Sequence, residues 1–266
     1  MFNYLLSFRH ILTLLANLIL GGIPSLTFFT WVERNCNIPW KDIGLAWPQV
    51  NIGKHSLFAL LLWNSLPFAL FASLHTTLAQ PRSQNILLKI FEPWMIRSVY
   101  MVITGLCLSL MMALWQNTEI TLWSLPISSN LANIISIALF WLFMACAGWT
   151  VIKFDAFSFL GFKQIFQRSE NVGRTEGSNK LLTKGIYGIV RHPMYTFTLS
   201  AFLFTPVMSL DRFWVFILSF GYLMIGIPIE EKKLVKIFGE PYTEYRKKVP
   251  AVFPKLTFGE IHSKRD

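Results

Sequence analysis

The chain has 266 residues, of which 53% are hydrophobic, 15% aromatic and only 14% charged. Those proportions argue against a soluble domain, and the charges avoid several windows of about twenty residues, the length a helix needs to cross a bilayer. A net charge of +10 would suit a nucleic-acid partner, but the basic residues alternate between loops as membrane topology requires, so no nucleic acid is expected.

In chain order, Ile11–Trp31, Leu57–Leu78, Ser98–Trp115 and Leu131–Ile152 predict four membrane spans. The first has a basic start, but Trp31-Val32-Glu33 offers no small-residue cleavage site, which argues for a retained span. Trp31, Trp40, Trp47, Trp94, Trp115 and Trp123 fall near predicted span ends, as an interfacial aromatic belt requires. Two shorter apolar runs follow, Met194–Met208 and Phe213–Ile229, with Asp211 and Arg212 marking a tight turn between them. They predict a helical hairpin. The expected fold is an all-α integral membrane protein with about six transmembrane helices, a C-terminal helical hairpin and a cytosolic amphipathic tail.

The loop between the second and third spans carries Arg82, Lys89 and Arg97, and the next loop, Gln116–Asn130, has no Lys or Arg. Seven basic residues then lie in Lys153–Arg191 and nine after Glu231. That alternation places both termini and the two basic loops in the cytoplasm. Arg34, Lys41 and Lys54 of the first loop fit it less well, because this topology makes that loop external. The basic tail can also meet anionic membrane lipids. The chain divides into an N-terminal transmembrane region of four spans (1–152), a C-terminal core with a basic loop, the hairpin and a C-terminal helix (153–256), and a tail (257–266). Gly173, Gly177 and Ser178 mark a breaker-rich connection at 168–180. From Glu230 onward a helix is expected to fray at Gly239-Glu240-Pro241, to resume for a turn or two, and to stop at Pro250.

Cys36, Cys107 and Cys146 are scattered, and His10, His55, His75, His192 and His262 are dispersed, so no metal-ligand spacing is present and no metal is expected. The informative stretch is Gly185–Tyr195. Pro193 suits the first position of a helix, so Arg191 and His192 precede a helix N-terminus, where free amides, the helix dipole and a guanidinium favour an anion. Glu230 and Glu231 close the hairpin and return to the same membrane face if it folds back on itself. Opposite charges would then face each other across a small pocket, which suits a zwitterion. Arg191 as a plain topology determinant remains the alternative, as does Arg246 as a headgroup binder within Arg246-Lys247-Lys248.

The pattern Gly185-x-Tyr187-x-x-Val190-Arg191-His192-Pro193-x-Tyr195, then Glu230-Glu231-x-x-Leu234, Phe238-Gly239, Tyr242-x-x-Tyr245 and Val249-Pro250, resembles the isoprenylcysteine carboxyl methyltransferase superfamily. These are integral-membrane enzymes using S-adenosylmethionine, and phospholipid methyltransferases share their C-terminal core. Phe154-Asp155 with Leu160-Gly161-Phe162-Lys163-Gln164 resembles the segment before the core in NnrU-like proteins, nurim and methanethiol S-methyltransferases. Leu74-His75-Thr76 with Ala79, Arg97-Ser98-x-Tyr100 and Thr205-Pro206-x-Met208 resemble partial versions of their other motifs.

The resemblance implies an S-adenosyl-L-methionine-dependent membrane methyltransferase, acting first of all on a small thiol, as in methanethiol-type S-methylation. Isoprenylcysteine carboxyl or phospholipid methylation, or a non-catalytic nurim-like role, are the alternatives; nurim-type proteins tend to lose core residues that this chain keeps. It implies a cofactor site of Tyr187, Val190, Arg191, His192, Pro193, Tyr195, Glu230 and Glu231, with His192 and nearby helix-start amides on the cofactor carboxylate. Arg191, Glu231 and Arg246 would stand nearest the chemistry, and Tyr245, Arg246 and His75 would bind a small-molecule or lipid-like acceptor. Phe197 occupies a position where the family usually has a small residue, so its ring either narrows the acceptor channel or faces lipid.

Overall fold

A bilayer has no water to bond exposed backbone groups, so apolar segments that cross it become helices. A computed structural model describes residues 8–36, 56–153, 156–167 and 181–254. Trp40, Trp47, Lys41, Lys54, His55, His262, the pair Phe154-Asp155, the 168–180 connection and the 257–266 tail lie outside the described residues.

The first span runs Phe8–Glu33 as α1 (Phe8–Ala16) and α2 (Ile23–Glu33), joined by a π-helical turn at Asn17–Gly22. After α3 (Leu57–Leu78) come the short α4 (Pro81–Leu87) and a 3₁₀ turn (Pro93–Met95) that leads into α5 (Ile96–Leu114). A strand β1 (Thr121–Ser124) precedes α6 (Ser129–Ile152), and α7 (Ala156–Phe159) and α8 (Phe162–Gln167) follow. The C-terminal part comprises a 3₁₀ turn (Gly185–Gly188), α9 (Pro193–Leu203), β2 (Val207–Ser209), α10 (Leu210–Phe238) and α11 (Glu240–Lys248).

Among the described residues five helical segments are long and apolar enough to span a membrane: Phe8–Glu33, Leu57–Leu78, Pro93–Leu114, Ser129–Ile152 and Leu210–Phe238. Half of the Pro93–Leu114 window is buried (50%), against 22% or less in the other four, so α5 is the central helix and the rest present apolar faces outward. Gly105 of α5 makes the tightest helix contact. A Cβ there would lie 2.0 Å from the Leu20 carbonyl oxygen, so only glycine allows the first span to approach this closely. The aromatic core between the spans is built from Phe28, Trp31, Phe68, Trp115, Phe140 and Phe202.

Contacts at the helix ends fix which ends share a face. Asn64 near the start of α3 bonds the backbone of Gln116 just after α5, in both directions (2.8 and 2.9 Å). Trp214 of α10 donates to Leu61 O of α3 (3.2 Å), and at the opposite end Lys233 donates to Ala79 O (3.1 Å). Thus α3 and α10 run in the same direction and α5 in the other. Arg9 pairs with Glu92 (2.8 Å), which puts the start of the first span on the same face as the ends of α3 and α10.

The second expected hairpin helix, α10, is long, and the first, α9, has only 11 residues, about 16 Å at 1.5 Å per residue. It stops part-way across. Extended residues from Phe204 to Ser209 carry the chain onward, and β2 pairs antiparallel with β1. Asp211 and Arg212, expected at a tight turn between the two helices, instead occupy the first turn of α10, and both are buried. Ser209 caps that turn by accepting from Arg212 N (3.1 Å). The Arg212 guanidinium donates to Phe202 O (2.9 Å) and Ala201 O (2.7 Å), supplying partners for carbonyls that a helix end leaves unpaired. Asp211 accepts from Trp115 Nε1 (2.9 Å), Thr118 N (3.0 Å) and Thr118 Oγ1 (2.8 Å). A helix can therefore end inside the protein because a buried arginine replaces water there.

Arg212→Met removes those donors at similar volume. It is expected to cost about 1–3 kcal/mol for a buried carbonyl left unsatisfied, read as a lower thermal unfolding midpoint in detergent micelles; an unchanged midpoint would show that α9 ends without this cap.

Candidate functional site

The site forms where the start of α9, the end of α10, α11 and the residues after it converge. Pro193 takes the first helical position of α9, with His192 as its N-cap. Gly239 separates α10 from α11 at φ +65° and ψ −138°, a conformation that costs little only in glycine. The turn folds Tyr242, Tyr245 and Arg246 back over Glu231.

Glu231 is the centre. Its side chain is 6% exposed, and its Oε1 accepts from Arg191 Nε (2.7 Å), lies 2.6 Å from Arg191 Nη2 and is 3.2 Å from His192 Nε2. Its Oε2 lies 3.3 Å from Arg246 Nε. A buried carboxylate needs such partners, because its desolvation is otherwise prohibitive. The Arg191 Nη1 donates to Arg246 O (3.1 Å) and to Val249 O. The backbone continues the link: Arg191 N donates to Pro250 O (2.9 Å), His192 N to Ala251 O (2.9 Å), and Thr196 Oγ1 to Val252 O (2.8 Å). Residues 249–252 thus strap the start of α9. The backbone amides of Arg191 and His192 are occupied by this strap, and the Arg191 guanidinium is committed to Glu231 and two carbonyls.

Glu230 stands beside it at 44% side-chain exposure, as does Arg246 at 44%. Glu230 accepts from the Tyr195 hydroxyl (2.8 Å) and lies 3.8 Å from His192 Nδ1. The His192 and Tyr195 rings stack, with centroids 5.4 Å apart and planes 10° from parallel. The Tyr245 hydroxyl donates to Tyr187 O (2.5 Å), so α11 anchors the Gly185–Gly188 turn. Burial pushes the Tyr245 phenol up to about 12, with Glu231 adding to the rise and Arg191 opposing it. Burial likewise pushes Tyr187 up to about 12. Both stay neutral hydrogen-bond donors at physiological pH. Val190 and Pro193 are buried packing residues of the same corner.

Ten of the sequence-predicted site residues therefore converge: Tyr187, Val190, Arg191, His192, Pro193, Tyr195, Glu230, Glu231, Tyr245 and Arg246. His75 does not touch Glu231. It lies on α3, where its Nε2 is 2.6 Å from the Tyr100 hydroxyl and its Nδ1 3.3 Å from Thr104 Oγ1. Tyr242 went without a role in the sequence reading, although the quoted motif contains it. Its hydroxyl is buried beside the charge cluster, and among the described residues it has no hydrogen-bond partner. Tyr222 went unnoticed altogether; the signal for it was a hydroxyl within an otherwise apolar span.

With this geometry in hand, the comparisons are specific. A family model described as phospholipid methyltransferase matches residues 131–241. The methanethiol S-methyltransferase of Pseudomonas deceptionensis is 31% identical over 218 residues, covering 80% of this chain and 76% of that protein. Methanethiol S-methyltransferase 2 of Bradyrhizobium diazoefficiens is 29% identical over 81% of this chain and 79% of its own length. Protein-S-isoprenylcysteine O-methyltransferase B of Arabidopsis thaliana is 34% identical over 84 residues, 30% of this chain and 43% of that protein. No solved structure matches.

Glu231→Gln leaves two arginines sharing a buried neutral amide, and a loss of about 3–5 kcal/mol of stability is expected. Glu230→Gln, at a half-exposed carboxylate, should cost about 1 kcal/mol or less. Thermal unfolding of the two variants side by side tests the contrast, and equal midpoints would remove Glu231 from the centre of the site.

Proposed function

The chain belongs to the membrane methyltransferase family of the isoprenylcysteine and phospholipid enzymes, and we propose that its methyl donor is S-adenosylmethionine and its acceptor a small thiol. The protein is a multi-pass membrane methyltransferase. The acceptor class is carried by likeness to methanethiol S-methyltransferases along about four-fifths of the chain (80% and 81%).

The residues present fit this donor. It has a carboxylate, an amine, ribose hydroxyls and a cationic sulfur, and the site offers a half-exposed cation, a half-exposed carboxylate, an unsatisfied buried phenol and stacked rings. Arg246 would hold the carboxylate. Glu230 would accept from the amine or the ribose hydroxyls, and the Tyr242 hydroxyl would find in the ligand the partner it lacks. The ring faces of Tyr187 and Tyr195 would stand near adenine or the sulfonium, where cation–π attraction contributes about 0.5–2 kcal/mol. Glu231 and Arg191 hold Arg246, His192 and the strap in register, so their part is to position these groups. The donor supplies an electrophilic methyl group on a positively charged sulfur.

The chain's own work is then to align a nucleophile with that methyl and to keep water out. Positioning of this kind lowers a barrier by about 7–11 kcal/mol. The acceptor must arrive as a thiolate, the nucleophilic form. His75 is assigned to the acceptor side, and Phe197, half-buried on α9, to the wall between acceptor and lipid. The face that carries Arg97, Arg191, Lys233 and Arg246 is assigned to the cytoplasm, with both chain ends, because basic residues concentrate there.

Purified protein in nanodiscs should bind S-adenosylmethionine saturably by calorimetry and pass label from it to a small thiol. Arg246→Ala and Glu230→Ala should each weaken donor binding about ten- to hundredfold, the range of a charge-assisted hydrogen bond. Label that reaches only prenylcysteine or phosphatidylethanolamine would overturn the acceptor class, and absence of donor binding would overturn the whole reading.

A further inference from the structure

In the Glu231 cluster His192 is engaged with Glu231 and stacked on Tyr195, and Glu230 accepts from the Tyr195 hydroxyl. Yet an alkanethiol is mostly protonated at neutral pH and must lose its proton to react. A second polar cluster lies deeper between the helices. The His75 ring is walled by Phe71, Tyr100 and Tyr222, with centroids 5.2, 4.9 and 6.3 Å away. Tyr222 Oη accepts from Thr76 Oγ1 (3.1 Å). Ionisable side chains within membrane spans are costly and mark function by default.

This cluster adjoins the donor end. Glu230 lies close enough for its charge to act on the hydroxyls of Tyr195, Tyr100 and Tyr222, and Tyr195 is itself within reach of Tyr100 and Tyr222. His75, Tyr100, Tyr195 and Tyr222 are each only half-buried, so part of every side chain remains open to a small guest. The Arg97 guanidinium lies over the Tyr100 ring (4.8 Å) and the Phe159 ring (4.9 Å), and its Nε donates to Phe159 O (2.7 Å).

Resting on the thiol methyltransferase reading above, we propose that His75 and Tyr100 form the proton-accepting pair of the acceptor site. With Nδ1–H directed at Thr104, His75 Nε2 accepts from the Tyr100 hydroxyl. The thiol S–H proton passes to Tyr100 Oη as the Tyr100 proton passes to Nε2, leaving a thiolate and an imidazolium. The thiolate sulfur forms its bond to the methyl carbon, the methyl's bond to the donor sulfur breaks, and that electron pair stays on the donor sulfur, which becomes neutral. The proton leaves His75 for water once the products depart. The charged groups around the pair are Arg97 of α5, over the Tyr100 ring, and Glu230 of α10, which accepts from Tyr195 of α9, with Tyr222 of α10 set against the His75 ring. Tyr100 touches the substrate; His75 acts through it.

The test uses the full chain in nanodiscs with two acceptors, an alkanethiol that is protonated at neutral pH and an arenethiol that is already ionised. In His75→Gln and in Tyr100→Phe, the ratio of alkanethiol to arenethiol kcat/KM is expected to fall about 10²–10⁴-fold, the usual contribution of a positioned proton acceptor. Raising the pH should restore alkanethiol turnover, and calorimetric binding of S-adenosylmethionine should stay near the wild-type value. Arenethiol turnover serves as the internal measure of folding. Equal slowing of both acceptors overturns the proton role alone and leaves the thiol reading intact. A wild type that methylates neither thiol overturns both.

Discussion

Burial of one carboxylate organises the C-terminal half of this protein. Glu231 is removed from water, and a lone charge in that position would be untenable. It is tolerated because Arg191, His192 and Arg246 surround it, from segments 40, 39 and 15 residues away in the chain. Satisfying it draws the start of α9, the end of α10 and α11 to one point. Arg191 then extends the same network to the carbonyls of Arg246 and Val249, and the strap at 249–252 closes over the helix start. The half-exposed groups around this core, Glu230 and Arg246, are left to meet a ligand.

The opposite end of the same helix pair inverts the charge pattern. There a buried cation, Arg212, is surrounded by carbonyl oxygens, and a buried anion, Asp211, by N–H and O–H donors. The effect is geometric. Because α9 ends part-way through the bundle, the chain reaches the far side as a short ribbon, and the helix need not match the 29 residues of α10. An apolar environment permits that only where side chains replace the lost solvent bonds.

Two polar clusters lie toward the same end of the helices. One collects charges suited to a zwitterionic donor. The other places a histidine and several phenols among aromatic rings, in a setting suited to a small, weakly polar acceptor. Glu230 and Tyr195 stand between them. The central helix α5 sets Tyr100 and Thr104 against His75, while Gly105, the next residue, packs against the first span. Rigid helix contact and reactive side chains are therefore neighbours on one element, which favours a fixed geometry for the reacting groups.

The sequence by itself determined the long spans and the residues that converge at the end of α10. Hydropathy is a local property, and the Arg191-His192-Pro193 and Glu230-Glu231 runs sit at span ends where ionisable groups stand out. It also marked the break at Gly239, a residue suited to a sharp reversal. Tertiary structure alone decided that Arg191 would be bound up by Glu231 and the strap, that Asp211 and Arg212 would be buried and not at a turn, and that α9 would stop short. It alone brought Tyr222 beside Thr76, 146 residues away, and gave Tyr242 its unpaired hydroxyl. The physical reason is range: whether a polar group is satisfied depends on partners distant in the chain, and neither helical periodicity nor composition carries that information.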